Sequence, residues 1–250
     1  MLKKISVIII TKDEEKNIGD CLESVKWADE IIVVDAMSKD RTVETAKKFT
    51  DKVFIRDWDG FASQKTYALS LAGNEWVLSI DADERVTTEL QNEILSADTS
   101  GLDGFMIRRR NFLLDKEIKT CGWGNDFQLR FFNRKKTSLT DRLVHEGFEV
   151  DGTIGKLSEP MLHYTFSSFA DYFSKMNHYT TLKSQEMVNS GKHVNGFTIF
   201  SHTTAAFFVF FITRLGFKDG VYGLIVSLLH SVSTMMVYIK LWELQKKNSS

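Results

Sequence analysis

The chain has 250 residues, 43% of them hydrophobic, which is enough for one large domain or one domain with an appendage and excludes a disordered protein. Acidic and basic residues nearly cancel, at a formal net charge of -1, so the global basic field typical of a nucleic-acid-binding protein is absent. Cys21 and Cys121 have neither metal-ligand nor redox spacing, which favours a reducing compartment. Because no signal-peptide pattern opens the sequence, we expect the main domain to stay in the cytoplasm.

Strand-like and helical patterns alternate through the first hundred residues. Apolar runs rich in β-branched residues predict buried strands, and amphipathic spacing predicts helices between them. The predicted strands are 5–10, 30–35, 52–55 and 76–80, and the predicted helices are 17–26, 42–49 and 62–72. This alternation predicts a doubly wound, Rossmann-like α/β sheet, whose ligands bind beyond the carboxyl ends of its strands.

The pattern changes after about residue 100. Shorter strand-like segments at 104–110 and 127–133 predict a mixed-sheet extension, and from about Ser167 onward the chain reads as helical. We therefore predict a main domain at 1–165, made of halves 1–100 and 101–165, followed by a helical region at 166–250.

The helical region contains two apolar stretches, 194–213 and 220–239, that lack Asp, Glu, Lys and Arg. Each is close to the roughly 20 residues that span a bilayer. The second has a narrow polar stripe at helical spacing, which favours a helix lying in the membrane surface. The stretches are flanked by cations that suit lipid headgroups, namely Arg214, Lys218, Lys240, Lys246 and Lys247. We predict a membrane-associating appendage, while packing against the domain or within a homo-oligomer stays open.

Acidic residues follow three of the four predicted parallel strands. Asp13 and Glu14 follow the first, Asp35 ends the second, and Asp81 and Asp83 follow the fourth. Such strand ends meet at one edge of the sheet, so the carboxylates would repel one another unless a cation or hydrogen-bond donors lay between them. For Asp35 alone, capping of the next helix is an equally good explanation.

The segment Asp81-Ala82-Asp83 carries the most specific signal. Carboxylates on either side of a small residue can approach one hard cation, and Mg²⁺ or Mn²⁺ held in this way bridges phosphate oxygens of a ligand. Such an ion neutralises charge on a nucleoside-diphosphate leaving group. Because this segment follows a buried strand, it predicts a metal and diphosphate site.

Three sequence segments, 6–15, 33–42 and 76–84, resemble the family 2 inverting glycosyltransferases with the GT-A fold. Within that family, the lipopolysaccharide-core glucosyltransferase type is the best match. The resemblance continues through 122–130, 144–146 and 219–223, so it covers nearly the whole chain. Two departures are Asp13 where the family usually has Asn, and Ala36-Met37 where it usually has Ser-Gly, which makes the loop after Asp35 less flexible.

The resemblance implies transfer of a hexose from a UDP-glucose-like donor to a glycolipid or oligosaccharide acceptor such as lipopolysaccharide core. Half 1–100 would bind the nucleotide sugar and half 101–165 would face the acceptor. Thr11, Glu14 and Asp35 would contact the base and ribose, and Asp81 and Asp83 would serve the ribose, metal and diphosphate. Since a soluble donor and a lipid-linked acceptor meet at the cytoplasmic surface, we expect a peripheral or monotopic protein on the inner face of the cell membrane.

Inverting transfer needs a base that removes the proton of the acceptor hydroxyl. Glu146 is the candidate because it follows a short apolar run beside a His and matches the His-Glu position of the family; a solvated loop Glu is the alternative. Asp126 is the rival base, and Asp141 is a weaker candidate. His145 would orient the Glu146 carboxylate or contact the acceptor, although a structural His is as common.

Other side chains fit supporting roles in such a site. Lys65 and Arg130 are candidate cationic partners of the diphosphate or of an anionic acceptor. Trp123 offers an apolar face for stacking on a sugar ring, and is equally well explained as a core aromatic. The run Arg108-Arg109-Arg110 reads as a solvated strand edge, with binding of an anionic lipid or a phosphorylated acceptor as the alternative.

Three other functions share part of this pattern. A nucleotidyltransferase would use a similar sheet, but usually has a Gly-rich basic loop after the first strand, and 11–16 contains no Gly. A receiver-like signalling domain would cluster Asp13, Glu14 and a strand-end Asp around Mg²⁺, but explains neither Asp83 nor the apolar C-terminal region. A membrane-bound scaffold with a degenerate site is the third.

Overall fold

The computed structural model describes residues 3–139, 147–166 and 168–248. The chain divides into two compact units, of which the first comprises Met1–Arg110 with Asp126–His163 and the second Asn111–Asn125 with Tyr164–Ser250. The domain boundary predicted at residue 165 stays a prediction.

The first half of the first unit is the alternating α/β region that the sequence predicts. Its elements are β1 (Ile5–Thr11), α1 (Ile18–Glu23), β2 (Glu30–Asp35), α2 (Thr42–Ala46), β3 (Val53–Ile55), α3 (Phe61–Leu71) and β4 (Trp76–Asp81). The four strands are parallel, in the order β3-β2-β1-β4. Thr11 pairs with Asp35, and Ile10 with Asp81, so the carboxyl ends of β1, β2 and β4 lie side by side.

Antiparallel strands extend this sheet on the β4 side. The elements that follow are β5 (Glu84–Arg85), α4 (Thr88–Ser96), β6 (Gly104–Leu113), β7 (Lys116–Glu117), β8 (Asp126–Asn133), β9 (Thr137–Leu139), β10 (Phe148–Val150), β11 (Ile154–Lys156) and β12 (Met161–Phe166). Among the strands that the structure describes, the order is β3-β2-β1-β4-β8-β6-β12-β5, and β9 pairs with β10 in a separate small sheet. The predicted mixed sheet is confirmed.

The alternation of side chains along β1 builds a core on each face of the sheet. Val7 and Ile9 point into a cluster that includes helices α1 and α4, while Ile8 and Ile10 point into a cluster that includes helix α3. A strand covered on both faces is favoured by apolar side chains on both, which is why β1 is apolar apart from Ser6 and Thr11.

The second unit is helical. It contains α5 (Phe169–Asn189), α6 (Gly196–Phe208) and α7 (Gly220–Asn248), and a π-helical turn, Val209–Thr213, continues α6. Helices α6 and α7 run in opposite directions, because His202 stacks on Tyr238 and Phe210 stacks on His230. By length and composition, Gly196–Thr213 and Gly216–Lys247 are both apolar enough to cross a membrane.

Candidate active site

The loops that follow β1 and β2 are joined by hydrogen bonds. The backbone N–H of Asp13 donates to Ser38 Oγ, and that of Glu14 donates to Thr42 Oγ1, both at 2.8 Å. In the other direction, the backbone N–H of Lys39 donates to Asp13 Oδ1 at 2.7 Å. These bonds hold the two loops together, and we call the surface that they form at the carboxyl end of the parallel strands the rim.

Asp35 and Thr11 lie below this rim, at the ends of adjacent strands. Asp35 is fully buried, and its carboxylate accepts hydrogen bonds from Ser38 N at 2.8 Å and Ser38 Oγ at 2.5 Å. The carboxylate of Asp35 therefore stabilises the turn after β2. Asp40 Oδ1 accepts a hydrogen bond from the backbone N–H of Thr42, the first residue of α2. Thr11 is also buried, and its Oγ1 has no hydrogen-bond partner among the residues that the structure describes.

Asp81 lies between two cations that the sequence also singles out. Lys65 Nζ, from α3, is 3.2 Å from Asp81 Oδ1, and Arg130 Nη2, from β8, is 2.5 Å from Asp81 Oδ2. Burial raises the pKa of Asp81, but the charges of Arg130 and Lys65 outweigh that effect and hold its pKa well below the usual range. The structure thus brings three predicted site residues into one ionised cluster.

Glu84 belongs to the same cluster, although the sequence alone did not single it out as a site residue. Its side chain is 0% exposed, and Oε1 lies 2.5 Å from Arg130 Nη2 and 3.5 Å from Arg109 Nη1. The backbone N–H of Asp81 donates to Oε2 of Glu84 at 2.8 Å. A carboxylate buried this deeply requires such partners, since its desolvation is otherwise uncompensated. Glu84 therefore positions both Arg130 and the backbone of Asp81.

Arg109 corrects the interpretation of Arg108-Arg109-Arg110 as a solvated strand edge. Its side chain is only 19% exposed, and its Nη2 lies 2.6 Å from Asp126 Oδ2. The other oxygen of Asp126 accepts a hydrogen bond from Gln128 Nε2 at 2.8 Å. The rival base Asp126 is therefore an ion-paired carboxylate with both oxygens engaged, and its catalytic role stays a prediction.

Asp83 faces a histidine that sequence reasoning missed. His163 Nε2 lies 3.5 Å from Asp83 Oδ2, and the two side chains are 13% and 16% exposed. The contact arises because β12 pairs antiparallel with β5, with His163 opposite Glu84. No local motif surrounds His163, so only the strand pairing reveals it.

The donor set at Asp83 suits a divalent ion that also binds a ligand. Carboxylate oxygen and imidazole nitrogen are both ligands of first-row divalent metals. Within residues 3–139, 147–166 and 168–248, no group of three or more His, Cys, Asp or Glu side chains could hold a metal. An ion here would complete its coordination with water and phosphate oxygens, as Mg²⁺ commonly does.

Four further predicted residues fall elsewhere. Glu146, His145 and Asp141 lie outside the described residues. Trp123 belongs to the second unit, where it is half-buried against a small core formed by Leu113, Ile118, Cys121 and Val226. This packing is that of a core aromatic, and the predicted sugar contact stays a prediction.

Comparison with known proteins gives concordant matches. Residues 6–147 match the model of the family described as Glycosyl transferase family 2. An uncharacterised glycosyltransferase of Rickettsia conorii is 32% identical over 265 residues, covering 100% of this chain and 94% of the relative. The lipopolysaccharide core biosynthesis glycosyltransferase LpsC of Rhizobium meliloti is 28% identical over 254 residues, covering 96% and 92%.

Two solved structures resemble the chain over almost its whole length. The mannosyltransferase of Pyrobaculum calidifontis in complex with GDP-Man and Mn²⁺ has a TM-score of 0.55 at 12% identity, with 97% of this chain and 88% of that chain covered. S. aureus TarS 1-349 in complex with UDP-GlcNAc has a TM-score of 0.51 at 16% identity, with 98% and 92% covered. At these identities the likeness establishes the fold alone.

Proposed function

The chain belongs to glycosyl transferase family 2 and has the GT-A fold, and from this premise we propose that it transfers a hexose, with inversion, from a UDP-glucose-like donor to a glycolipid or oligosaccharide of the lipopolysaccharide core type. The observation that carries the donor side is Asp81 held between Lys65 and Arg130 at the carboxyl end of β4. The acceptor class is supported by the similarity to LpsC. Membership of a glycosyltransferase family sets aside the nucleotidyltransferase, the receiver domain and the scaffold.

The donor would lie along the rim above β1, β2 and β4. The Thr11 hydroxyl, which has no hydrogen-bond partner among the described residues, would contact the base and ribose together with Glu14 and Asp35. Lys65 and Arg130 would supply positive charge to the diphosphate, and Asp81 would keep both cations in place. This assignment follows the general rule that ligands of open α/β sheets bind beyond the strand ends.

Asp83, with Asp81 two residues before it, would hold Mg²⁺ or Mn²⁺. Since Asp81 is already engaged by two cations, Asp83 is the stronger ligand, and His163 adds an imidazole 3.5 Å from it. When bound, the ion would neutralise charge that builds on the nucleoside-diphosphate leaving group. Glu146 would take the proton from the acceptor hydroxyl as the sugar carbon is attacked from the opposite face.

A thermal-shift screen of UDP-, GDP- and dTDP-sugars, each with and without Mn²⁺, tests the donor site. A ligand that binds only the folded state raises Tm, so we expect one nucleotide class to stabilise the wild-type protein in an Mn²⁺-dependent way. Asp83→Asn should lose the Mn²⁺-dependent part of that shift. The exposed carboxylate of Asp51 provides a control, because Asp51→Asn should respond like the wild type. If no nucleotide sugar raised Tm, or if Asp83→Asn behaved like Asp51→Asn, the proposed site would be wrong.

A further inference from the structure

The second unit presents a continuous apolar surface, which we name the outer face. It consists of large apolar side chains on α6, the turn after it and the start of α7, each between 50% and 78% exposed: Phe197, Phe200, Phe208, Ile212, Phe217 and Val221. Phe197, Phe200 and Phe208 on α6 are spaced three and eight residues apart, and Ile212 follows four residues later in the next turn, so these residues form one stripe. Soluble monomers rarely leave contiguous apolar surface of this kind uncovered, and such a patch marks an interaction site.

Polar neighbours along α7 prevent this helix from crossing a bilayer. Near its start, Tyr222 Oη donates to Asp115 Oδ1 at 3.0 Å. Just before it, the Asp219 carboxylate accepts hydrogen bonds from the backbone N–H groups of Lys119 and Thr120. The segment around these partners, 115–119, has the sequence Asp-Lys-Glu-Ile-Lys, which hydrocarbon would not accommodate.

Helix α5 covers the rest of α7 in the same way. Tyr172 Oη donates to the backbone oxygen of Leu229 at 3.3 Å, and Lys240 Nζ donates to Asn177 Oδ1 at 2.8 Å. Helix α5 also carries Lys183 and Glu186, which pair with each other on its surface. Polar contacts at Tyr222, Leu229 and Lys240 therefore recur along α7, as expected of a helix held against its own unit rather than surrounded by lipid.

We propose that the outer face inserts into one leaflet of an anionic bilayer, with α6 and the start of α7 lying in the plane of the interface. The proposal deepens the proposed function, on which it rests, because it assigns the surface on which a lipid-linked acceptor would be met. Arg214 and Lys218 are exposed in the turn between the helices, and the one acid of that turn, Asp219, is bonded internally. Basic side chains beside exposed aromatic residues match anionic headgroups above an acyl layer.

The same charges disfavour a second copy of the chain as the occupant. A two-fold contact places the same surface patch of both copies together. Arg214 and Lys218 of both copies would then share one interface, and like charges at an interface oppose association. A lipid surface with negative headgroups complements the turn instead.

Vesicle sedimentation of the full chain tests the proposal, using phosphatidylcholine with and without about one third phosphatidylglycerol. We expect the wild type to bind the anionic vesicles more strongly. The variant Phe197→Ser/Phe200→Ser/Val221→Ser should bind them at least roughly tenfold more weakly, because three apolar side chains no longer leave water. Leu95→Ser, an exposed apolar position on α4 at 44%, is the matched control and should bind like the wild type. The Tm of each variant shows whether the variant is folded.

Thiol labelling distinguishes in-plane insertion from spanning. Cys21 and Cys121 are both buried, so Lys218→Cys and Glu243→Cys each provide one accessible thiol near opposite ends of the helix pair. With protein added outside the vesicles, a membrane-impermeant maleimide should label both variants before detergent. Protection of either one until detergent is added would overturn the in-plane arrangement.

Two further results would overturn the proposal as a whole. Equal binding to neutral and anionic vesicles would remove the role of Arg214 and Lys218. Loss of a dimer, rather than of vesicle binding, in the triple variant would assign the outer face to a second copy. Because vesicle binding is measured without donor or acceptor, its failure leaves the thermal-shift result, and with it the proposed transfer reaction, unaffected.

Discussion

At the scale of single residues, the two departures from the family pattern stand where the backbone is left-handed. Asp13 has φ 53° and Met37 has φ 57°. Gly has no Cβ atom and adopts such angles freely, and Asn and Asp adopt them more readily than other residues, for which this conformation costs roughly 1–2 kcal/mol. At Met37 packing does little to offset this cost, because the side chain is 56% exposed.

Met37→Gly should therefore stabilise the protein by about 0.5–1 kcal/mol, since relief of strain exceeds the extra backbone entropy of Gly in the unfolded chain. Urea unfolding measures the change. Lys39→Gly is the matched control: Lys39 is exposed in the same loop, and its φ is not positive, so this change should destabilise by up to about 1 kcal/mol. A Met37→Gly protein less stable than the wild type would contradict the strain argument.

The two candidate bases lead to opposite expectations. Glu146→Gln keeps the shape of the side chain but removes its basicity, so transfer should be abolished while donor binding, measured by calorimetry, survives. Asp126→Asn should retain more transfer, because the Asp126 carboxylate already pairs with Arg109 and Gln128. Near-normal turnover by Glu146→Gln would show that Glu146 is not the catalytic base. Loss of transfer in Asp126→Asn alone would favour Asp126 as the base.

Part of the charged cluster around Asp81 was predictable from the sequence. Lys65 lies in a helix that the sequence predicts, Asp81 ends a predicted strand and Arg130 lies within another, and the structure places the three together. Glu84 and His163 were missed because their positions depend on the pairing of β5 with β12, two strands about 80 residues apart. No local pattern of residues encodes that pairing.

At the scale of elements, β1, β2 and β4 match their predicted bounds to within one residue, because strands buried on both faces are largely apolar. Helices α1 and α2 are shorter than predicted. Their last turns tighten, with Val25 N bonding Leu22 O and Phe49 N bonding Ala46 O in an i to i+3 pattern. The short strands β5 and β7 had no sequence signal, since two residues show no periodicity.

Glu30 ties together the elements at the amino end of the parallel sheet. Its carboxylate accepts hydrogen bonds from Ser6 Oγ of β1 and from Gly73 N after α3, and it pairs with Lys52 before β3. Burial raises the pKa of Glu30, but the hydrogen bonds from Lys52, Ser6 and Gly73 outweigh it and lower the pKa. A lowered pKa in the folded state means that ionised Glu30 stabilises the fold.

Glu30→Gln should therefore destabilise the protein at neutral pH. The stabilisation by Glu30 is fully present above its unfolded pKa, about 4.3, and is lost as pH falls through the lower folded pKa. The difference in unfolding free energy between the two proteins should be constant from pH 6 to 8 and should shrink below about pH 4. Urea unfolding at each pH measures it. Glu44→Gln, at an exposed position on α2, is the control and should show no such trend.

At the scale of the whole molecule, the described donor-site residues all belong to the first unit and the outer face belongs to the second. Donor chemistry and membrane contact should therefore respond to different substitutions. A chain built this way would use one unit to bind the soluble donor and the other to stay at the surface that holds a lipid-linked acceptor.

Two transfer assays with one donor separate these roles. The variant Phe197→Ser/Phe200→Ser/Val221→Ser should transfer to a soluble oligosaccharide acceptor within about twofold of the wild type, because exposed substitutions seldom change stability by more than about 0.5 kcal/mol. Its transfer to the same oligosaccharide anchored in anionic vesicles should fall roughly in proportion to vesicle binding, about tenfold at low enzyme concentration. Asp83→Asn should lower both activities alike, since it acts on the donor. An equal loss in both assays for the outer-face variant would mean that this surface supports the fold or the donor site rather than the encounter with lipid.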